Sequence, residues 1–153
     1  MSFLTTLFSF RGRINRVDFW ISALWVAALW CAVVFARMIP VAVVGGLLEV
    51  GLLVAGLVVW FAAATRRLHD RDKSAWYVLI FFGVPSALQT MFAPHEPGYT
   101  MLYLFSGGTG SFLDLICLAI GIWMIVELGF LRGTAGPNQY GPDSSAASEV
   151  HTA

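Results

Sequence analysis

The residues of this chain best equipped for chemistry are crowded into one stretch. Arg66 to Trp76, reading RRLHDRDKSAW, holds four of the nine Lys and Arg together with His69, Asp70, Asp72 and Ser74. Three chemistries use that set. Arg66 and Arg67, joined by Arg13 and Arg16 from the amino-terminal segment and oriented by Asp70, can grip a phosphate or a lipid headgroup, because guanidinium forks match oxyanions in charge and shape. The same cations can anchor the loop at an anionic membrane surface, worth about 1 kcal/mol per basic residue. The third is an acid–base pair of His69 and Asp70. Adjacent side chains seldom point at one another and no nucleophile or metal set accompanies them, so no catalytic residue is assigned.

The other polar clusters read as structure. His95 and Glu96 are two adjacent ligands, too few for a zinc site. GGTGS at 107–111 has no preceding strand and no lysine, and helix capping explains it better than a phosphate loop. Cys31 and Cys117 lie inside apolar runs, where a cysteine acts as a small buried hydrophobe. Neither a metal nor a cofactor is expected. The formal net charge is zero, so no basic excess points to nucleic acid.

The elements that must position the charged stretch are membrane elements. Hydrophobic residues make up 58% of the 153 residues and charged residues only 12%, against about 25% charged in soluble chains. The pattern predicts an all-α membrane protein of four transmembrane helices, at about 19–36, 45–65, 75–92 and 112–131, each close to the ~20 residues that cross a hydrocarbon core. Phe3, Leu4, Leu7 and Phe8 at helical spacing, followed by Arg11, Arg13 and Arg16, suit a short interfacial helix before them. A cleaved signal is not expected, because the charges come late and a large Trp30 precedes Cys31. Asn15 with Asp18, Ser74, and Ser111 with Asp114 are helix-start residues, and Pro85 predicts a kink in the third span.

Two acids fall within the spans. Glu49 is either about 12 Å deep on a helix that starts at Val41, marking a paired or functional site, or at the outer surface near Arg37 on an interfacial connector over 38–48. The connector costs less and is the expectation. Glu127, a turn inside the far end of span four, can pair with Arg132 or with an arginine of the central loop.

Orientation follows from the cations. Arg11, Arg13, Arg16, Arg66, Arg67, Arg71, Lys73 and Arg132 fall on one side of such a topology and Arg37 on the other, which puts both termini and the central loop in the cytoplasm. Residues 1–143 form one domain and 144–153 a disordered tail. Arg13, Arg16 and Trp20 faintly echo Arg71, Ser74 and Trp76, too briefly to establish a repeat.

Three stretches, FRGRINRVDFW at 10–20, RRLHDRDKSAW at 66–76 and GPNQYGPD at 136–143, resemble the signature stretches of the bacterial domain of unknown function 805 family of small inner-membrane proteins. The resemblance runs through nearly the whole chain in order. It implies a multi-pass protein of the bacterial cytoplasmic (inner) membrane with cytoplasmic motifs, and supplies no activity. Three departures stand out: Asp72 where the family usually has glycine, Ala75 where glycine is common before the Trp, and Gln139 in place of an arginine.

The expected function is non-enzymatic binding of anionic lipid or a protein partner through the cytoplasmic face, by Arg13, Arg16, Arg66, Arg67, His69, Asp70, Ser74, Trp76, Asn138 and Tyr140. A transporter or channel component is the alternative, motivated by Glu49, Gln89, Glu127 and Pro85 and requiring a homo-oligomer. An enzyme on lipid headgroups, needing His69, is third. The prolines and glycines of 136–143 favour turns, which predicts that this segment folds back on the central loop with Asn138 bonding backbone and Tyr140 near Arg67 or Asp70.

Overall fold

The computed structural model describes residues 7–39, 42–92 and 112–143, and the side chains among them except those of Ala42, Gln89, Phe92, Leu113 and Asp114. Most of the amino-terminal interfacial helix, the 93–111 loop with His95, Glu96 and the GGTGS stretch, the Ser111 and Asp114 caps, and the tail from 144 lie outside the described residues.

Helix α1, Arg16–Ala36, begins as its cap residues require: the Asp18 backbone N–H donates to Asn15 Oδ1 at 2.8 Å. Its 21 residues rise about 32 Å at 1.5 Å each, enough to cross a bilayer core. Helix α2, Ala42–Asp70, packs along it and is longer, at 29 residues. The excess carries Arg66 to Asp70 one turn past Thr65, where the apolar run closes.

The start of α2 corrects the expected connector. Residues from Ala42 onward are helical, and Gly45 serves packing rather than looseness, because a Cβ there would stand 3.0 Å from the Ala36 carbonyl oxygen. Glu49 is therefore on the helix and stabilised by pairing: Arg37 donates to Glu49 Oε1 through Nε at 2.9 Å and Nη2 at 2.6 Å.

The remaining helices are shorter and each carries a π-helical turn. Leu79–Gly83 is π-helical and runs into α3, Val84–Phe92. Where a kink at Pro85 is expected, the structure has a π-helical turn just before it: the missing Pro85 N–H leaves the preceding turn without its next α bond, and the Val84 N–H reaches back to the Leu79 carbonyl. Helix α4, Phe112–Ile125, passes into a π-helical turn, Val126–Phe130, at its end. Among the described residues there is no strand, only an isolated bridge between Asn138 and Gly141.

Burial is inverted relative to a water-soluble protein. Leu24, Phe35, Val43 and Leu47 are each about 70% exposed, whereas Arg67, Asp70 and Glu127 are buried. Two helices, α1 and α2, are long and apolar enough to cross a membrane, and most of their length is not covered by protein. A compact core gathers near the charged stretch, where Ile14, Phe19, Ala63, Ala64, Leu68, Phe81 and Leu128 meet. Ala62, Ala63 and Ala64, with no exposed surface, admit the neighbouring elements closely. Phe19 packs on Trp60, and Phe81 meets Trp123 edge-on with ring centroids 5.0 Å apart.

Candidate functional site

The three sequence stretches converge at the end of the bundle where α2 closes. Arg67, in the last turn of α2, points at the end of the fourth helix. A helix end leaves carbonyls without internal partners, and the π-helical turn re-aims them. Arg67 Nε donates to the Leu128 carbonyl at 2.9 Å, Nη2 to that of Leu131, and Nη1 to Asp70 and, at 3.5 Å, to the Ile14 carbonyl. Trp20 completes this cap from α1, with Nε1 donating to the Gly129 carbonyl at 3.1 Å. Position 129 must be glycine for that approach, since a Cβ would stand 2.6 Å from the indole.

Arg13 performs the same service for the segment after the helix. Its Nη2 donates to the Thr134 carbonyl at 2.6 Å and its Nη1 to that of Gly136 at 2.7 Å, while Nε donates to Asp70 Oδ1 at 3.0 Å. Asp70 joins the two guanidinium groups, one carboxylate oxygen on each, with the Arg13 and Asp70 side chains only 1% and 3% exposed. Its backbone carbonyl in turn accepts from the N–H and hydroxyl of Thr134 at 2.8 and 3.0 Å. Charges this deep are tolerated because almost every donor is matched by a carbonyl or carboxylate. Gly133 leaves the room: a Cβ there would overlap the Asp70 carboxylate.

The segment 136–143 folds back onto this knot. Asn138 Nδ2 donates to the His69 carbonyl at 2.9 Å and to Thr134 Oγ1 at 3.1 Å, and the Tyr140 N–H closes a turn on Asn138 Oδ1. Gly136, at φ +76°, adopts a backbone that favours glycine, and its N–H donates to Asp143 Oδ2. Tyr140 lands on a different partner from the expected Arg67 or Asp70: its ring stacks on His69, centroids 3.9 Å apart and planes 5° from parallel.

His69 and Asp70 face different ways, as neighbours on a helix must. His69 Nδ1 meets the Gly12 carbonyl at 3.3 Å, while Asp70 turns to the arginines. Burial pushes the His69 pKa below the ordinary histidine value, opposed by the Gly12 contact. No geometry couples the two as an acid–base pair.

Glu127 pairs with the central loop, not with Arg132. Arg71 Nε and Lys73 Nζ stand 2.7 and 2.6 Å from its Oε1, and the carboxylate is 5% exposed. The contacts are close ion pairs whose N–H directions fall short of hydrogen-bond geometry. Lys73 also lies over the Tyr77 ring.

The proposed site residues thus divide into two groups. Arg13, Arg67, Asp70, Asn138 and, through Tyr140, His69 are bound to one another, and the guanidinium groups of Arg13 and Arg67 are turned to carbonyls and a carboxylate rather than to an outside anion. Arg16 is exposed and makes no hydrogen bond or ion pair among the described residues, and the same holds for the side chains of Arg11 and Arg132. Arg66 is buried, with a long 3.4 Å bond from Nε to the Ala62 carbonyl and Asp18 as its nearby counter-charge. Ser74 Oγ accepts from the Trp76 N–H at 3.4 Å, and Trp76 is 73% exposed. Gly133, Thr134 and the carbonyls of Gly12 and Ile14 are partners the sequence reading missed, since a backbone carbonyl has no signature in a sequence. Among the described residues no group of three His, Cys, Asp or Glu could hold a metal.

A family model described as "Protein of unknown function (DUF805)" matches residues 7–142, a range that begins just before the Arg13 segment and ends within the folded-back one. No curated protein and no solved structure matches the chain.

Proposed function

The chain belongs to the DUF805 family, and on that premise we propose that it is a four-span protein of the bacterial cytoplasmic membrane that binds anionic phospholipid headgroups through its cytoplasmic face. One observation carries this reading: a rigid, internally satisfied knot sits beside exposed arginines, Arg11, Arg16 and Arg132, whose guanidinium groups have no partner among the described residues. The knot provides a fixed platform and the free arginines provide the attraction. Each is worth about 1 kcal/mol at an anionic surface, roughly a factor of five in lipid preference. A transporter or channel component stays the alternative; the acids that motivate it are paired, Glu49 with Arg37 and Glu127 with Arg71 and Lys73.

The test is the lipid composition around the protein. Extracted in polymer discs from vesicles of mixed phosphatidylcholine and phosphatidylglycerol, the wild type is enriched in phosphatidylglycerol over the bulk, and a triple Arg11→Gln, Arg16→Gln, Arg132→Gln variant loses that enrichment. A wild type whose discs match the bulk composition refutes the reading. Orientation is tested separately by single cysteines at Thr109 and Ser145 in a background lacking Cys31 and Cys117. An impermeant reagent on intact cells labels position 109 and spares position 145; the opposite pattern overturns the topology.

A further inference from the structure

Where the third helical segment begins, beside the end of α2, the surface opens into a groove of about 340 Å³ lined by Phe10, Phe61, Thr65, Ser74, Trp76 and Leu79, among others. That volume is at the lower end of the ~300–1,000 Å³ of small-molecule sites. Its walls are mostly aromatic and aliphatic. Phe61 and Leu79 lie within the apolar spans, Trp76 at the very start of the third and Phe10 before the first, so the groove runs from the level of the hydrocarbon to the level of the headgroups.

Two polar observations fall at its upper end. Thr65 is 7% exposed, lines the groove, and makes no hydrogen bond through its hydroxyl among the described residues. The hydroxyl itself is not among the fully buried polar atoms, so its proton is within reach of an occupant that supplies an acceptor. Ser74, also in the wall, accepts from the Trp76 N–H and keeps its own proton to give. The next residue in the chain after Phe10 is Arg11, one of the unpartnered cations.

An apolar body, an oxygen acceptor beside two hydroxyls and a negative charge near a free arginine describe one class of molecule. We propose that this groove is a specific site for one acyl chain of an anionic phospholipid, with an ester or phosphate oxygen accepting from Thr65 and Ser74 and the headgroup charge facing Arg11. The inference rests on the membrane-embedded, lipid-binding reading above and names the place where one lipid is held rather than merely attracted.

The experiment uses the full chain in phosphatidylcholine vesicles carrying a trace of phosphatidylglycerol or phosphatidylcholine with a photoactivatable diazirine on one acyl chain. Peptide mapping after illumination gives roughly tenfold more phosphatidylglycerol adduct on Phe61, Trp76 and Leu79 than on Leu118 and Ile122 of α4, a factor equal to about 1.4 kcal/mol. Ala75→Phe, which fills the groove, removes that excess, and Thr65→Val reduces it severalfold without adding bulk. Adducts spread evenly over groove and α4 overturn the proposal, as does an excess that Ala75→Phe leaves intact. An equal groove excess for both headgroups overturns the anionic specificity. The groove map reads position on the protein and the disc composition reads overall enrichment, so either result can fail while the other holds.

Discussion

Tyr140 lies flat on His69, 71 residues earlier in the chain, and this contact with the Asn138 bond to the His69 carbonyl pins the carboxy-terminal segment to the end of α2. The stack needs the ring and not the hydroxyl, which has no partner among the described residues. Tyr140→Phe therefore leaves unfolding in mild detergent unchanged, while Tyr140→Ala lowers stability. A double-mutant cycle with His69→Ala yields a coupling of about 0.5–1.5 kcal/mol. A coupling of zero shows the segment to be held by Asn138 alone.

The same histidine makes stability depend on pH. Its pKa is lowered in the folded protein, chiefly by burial, so the unfolded chain binds the proton more readily. Where the unfolded state binds more protons, stability rises with pH. Above an unfolded value of about 6.5 the histidine contributes no slope, and stability falls as pH drops through 6.5 towards the lower folded value. Replacing His69 by Phe, which keeps a ring for Tyr140, flattens this part of the profile. An unchanged slope in that variant assigns the pH dependence to other groups.

Gly133 and Asp70 cannot both be kept if a methyl group is added to the first. The Cβ of Gly133→Ala falls on the Asp70 carboxylate, which is held between Arg13 and Arg67 and has no room to yield. Displacing it breaks a buried charge network, so the expected loss approaches the roughly 3–5 kcal/mol of removing one partner from a buried pair. Gly121→Ala is the control, since nothing lies within 4 Å of a Cβ at that position. Its stability is equal to or above the wild type by up to about 1 kcal/mol, the difference between Gly and Ala in a helix. Similar melting of the two variants would mean that the Asp70 pocket yields.

Asp72 occupies a left-handed backbone conformation at φ +57°, just past the end of α2. Left-handed geometry costs an L-residue about 1–2 kcal/mol, with Asp tolerating it better than most, and glycine adopts it freely. Asp72→Gly stabilises the protein by a few tenths to about 1 kcal/mol, the relieved left-handed strain being offset in part by the extra freedom glycine gives the unfolded chain. The side chain is exposed and has no partner among the described residues, so its removal sacrifices no contact. A loss of stability on this substitution would reveal a role for the carboxylate itself.

Features that act within a few residues of one another were legible in local composition and spacing. Long uncharged runs marked the two long apolar helices, α1 and α2, because charge is costly in hydrocarbon wherever it occurs. Asn15 with Asp18 marked a helix start, since a cap acts within one turn. Glycine and proline at 136–143 indicated a turning segment, because they restrict the backbone they belong to. Partnership across the fold was a different matter. Arg13 and Arg16 are equivalent in composition and three residues apart, yet one is buried on Asp70 and the other is exposed. That difference is decided by which way the chain enters α1 and by where the carbonyls of Thr134 and Gly136, more than a hundred residues later, come to lie. Glu127 offered a choice between Arg132 and the central loop, and the π-helical turn that rotates the end of the fourth helix settled it in favour of Arg71 and Lys73. Hydrogen bonds and ion pairs act over a few ångströms, so the tertiary structure alone separates the buried arginines of the knot from those that make no bond among the described residues.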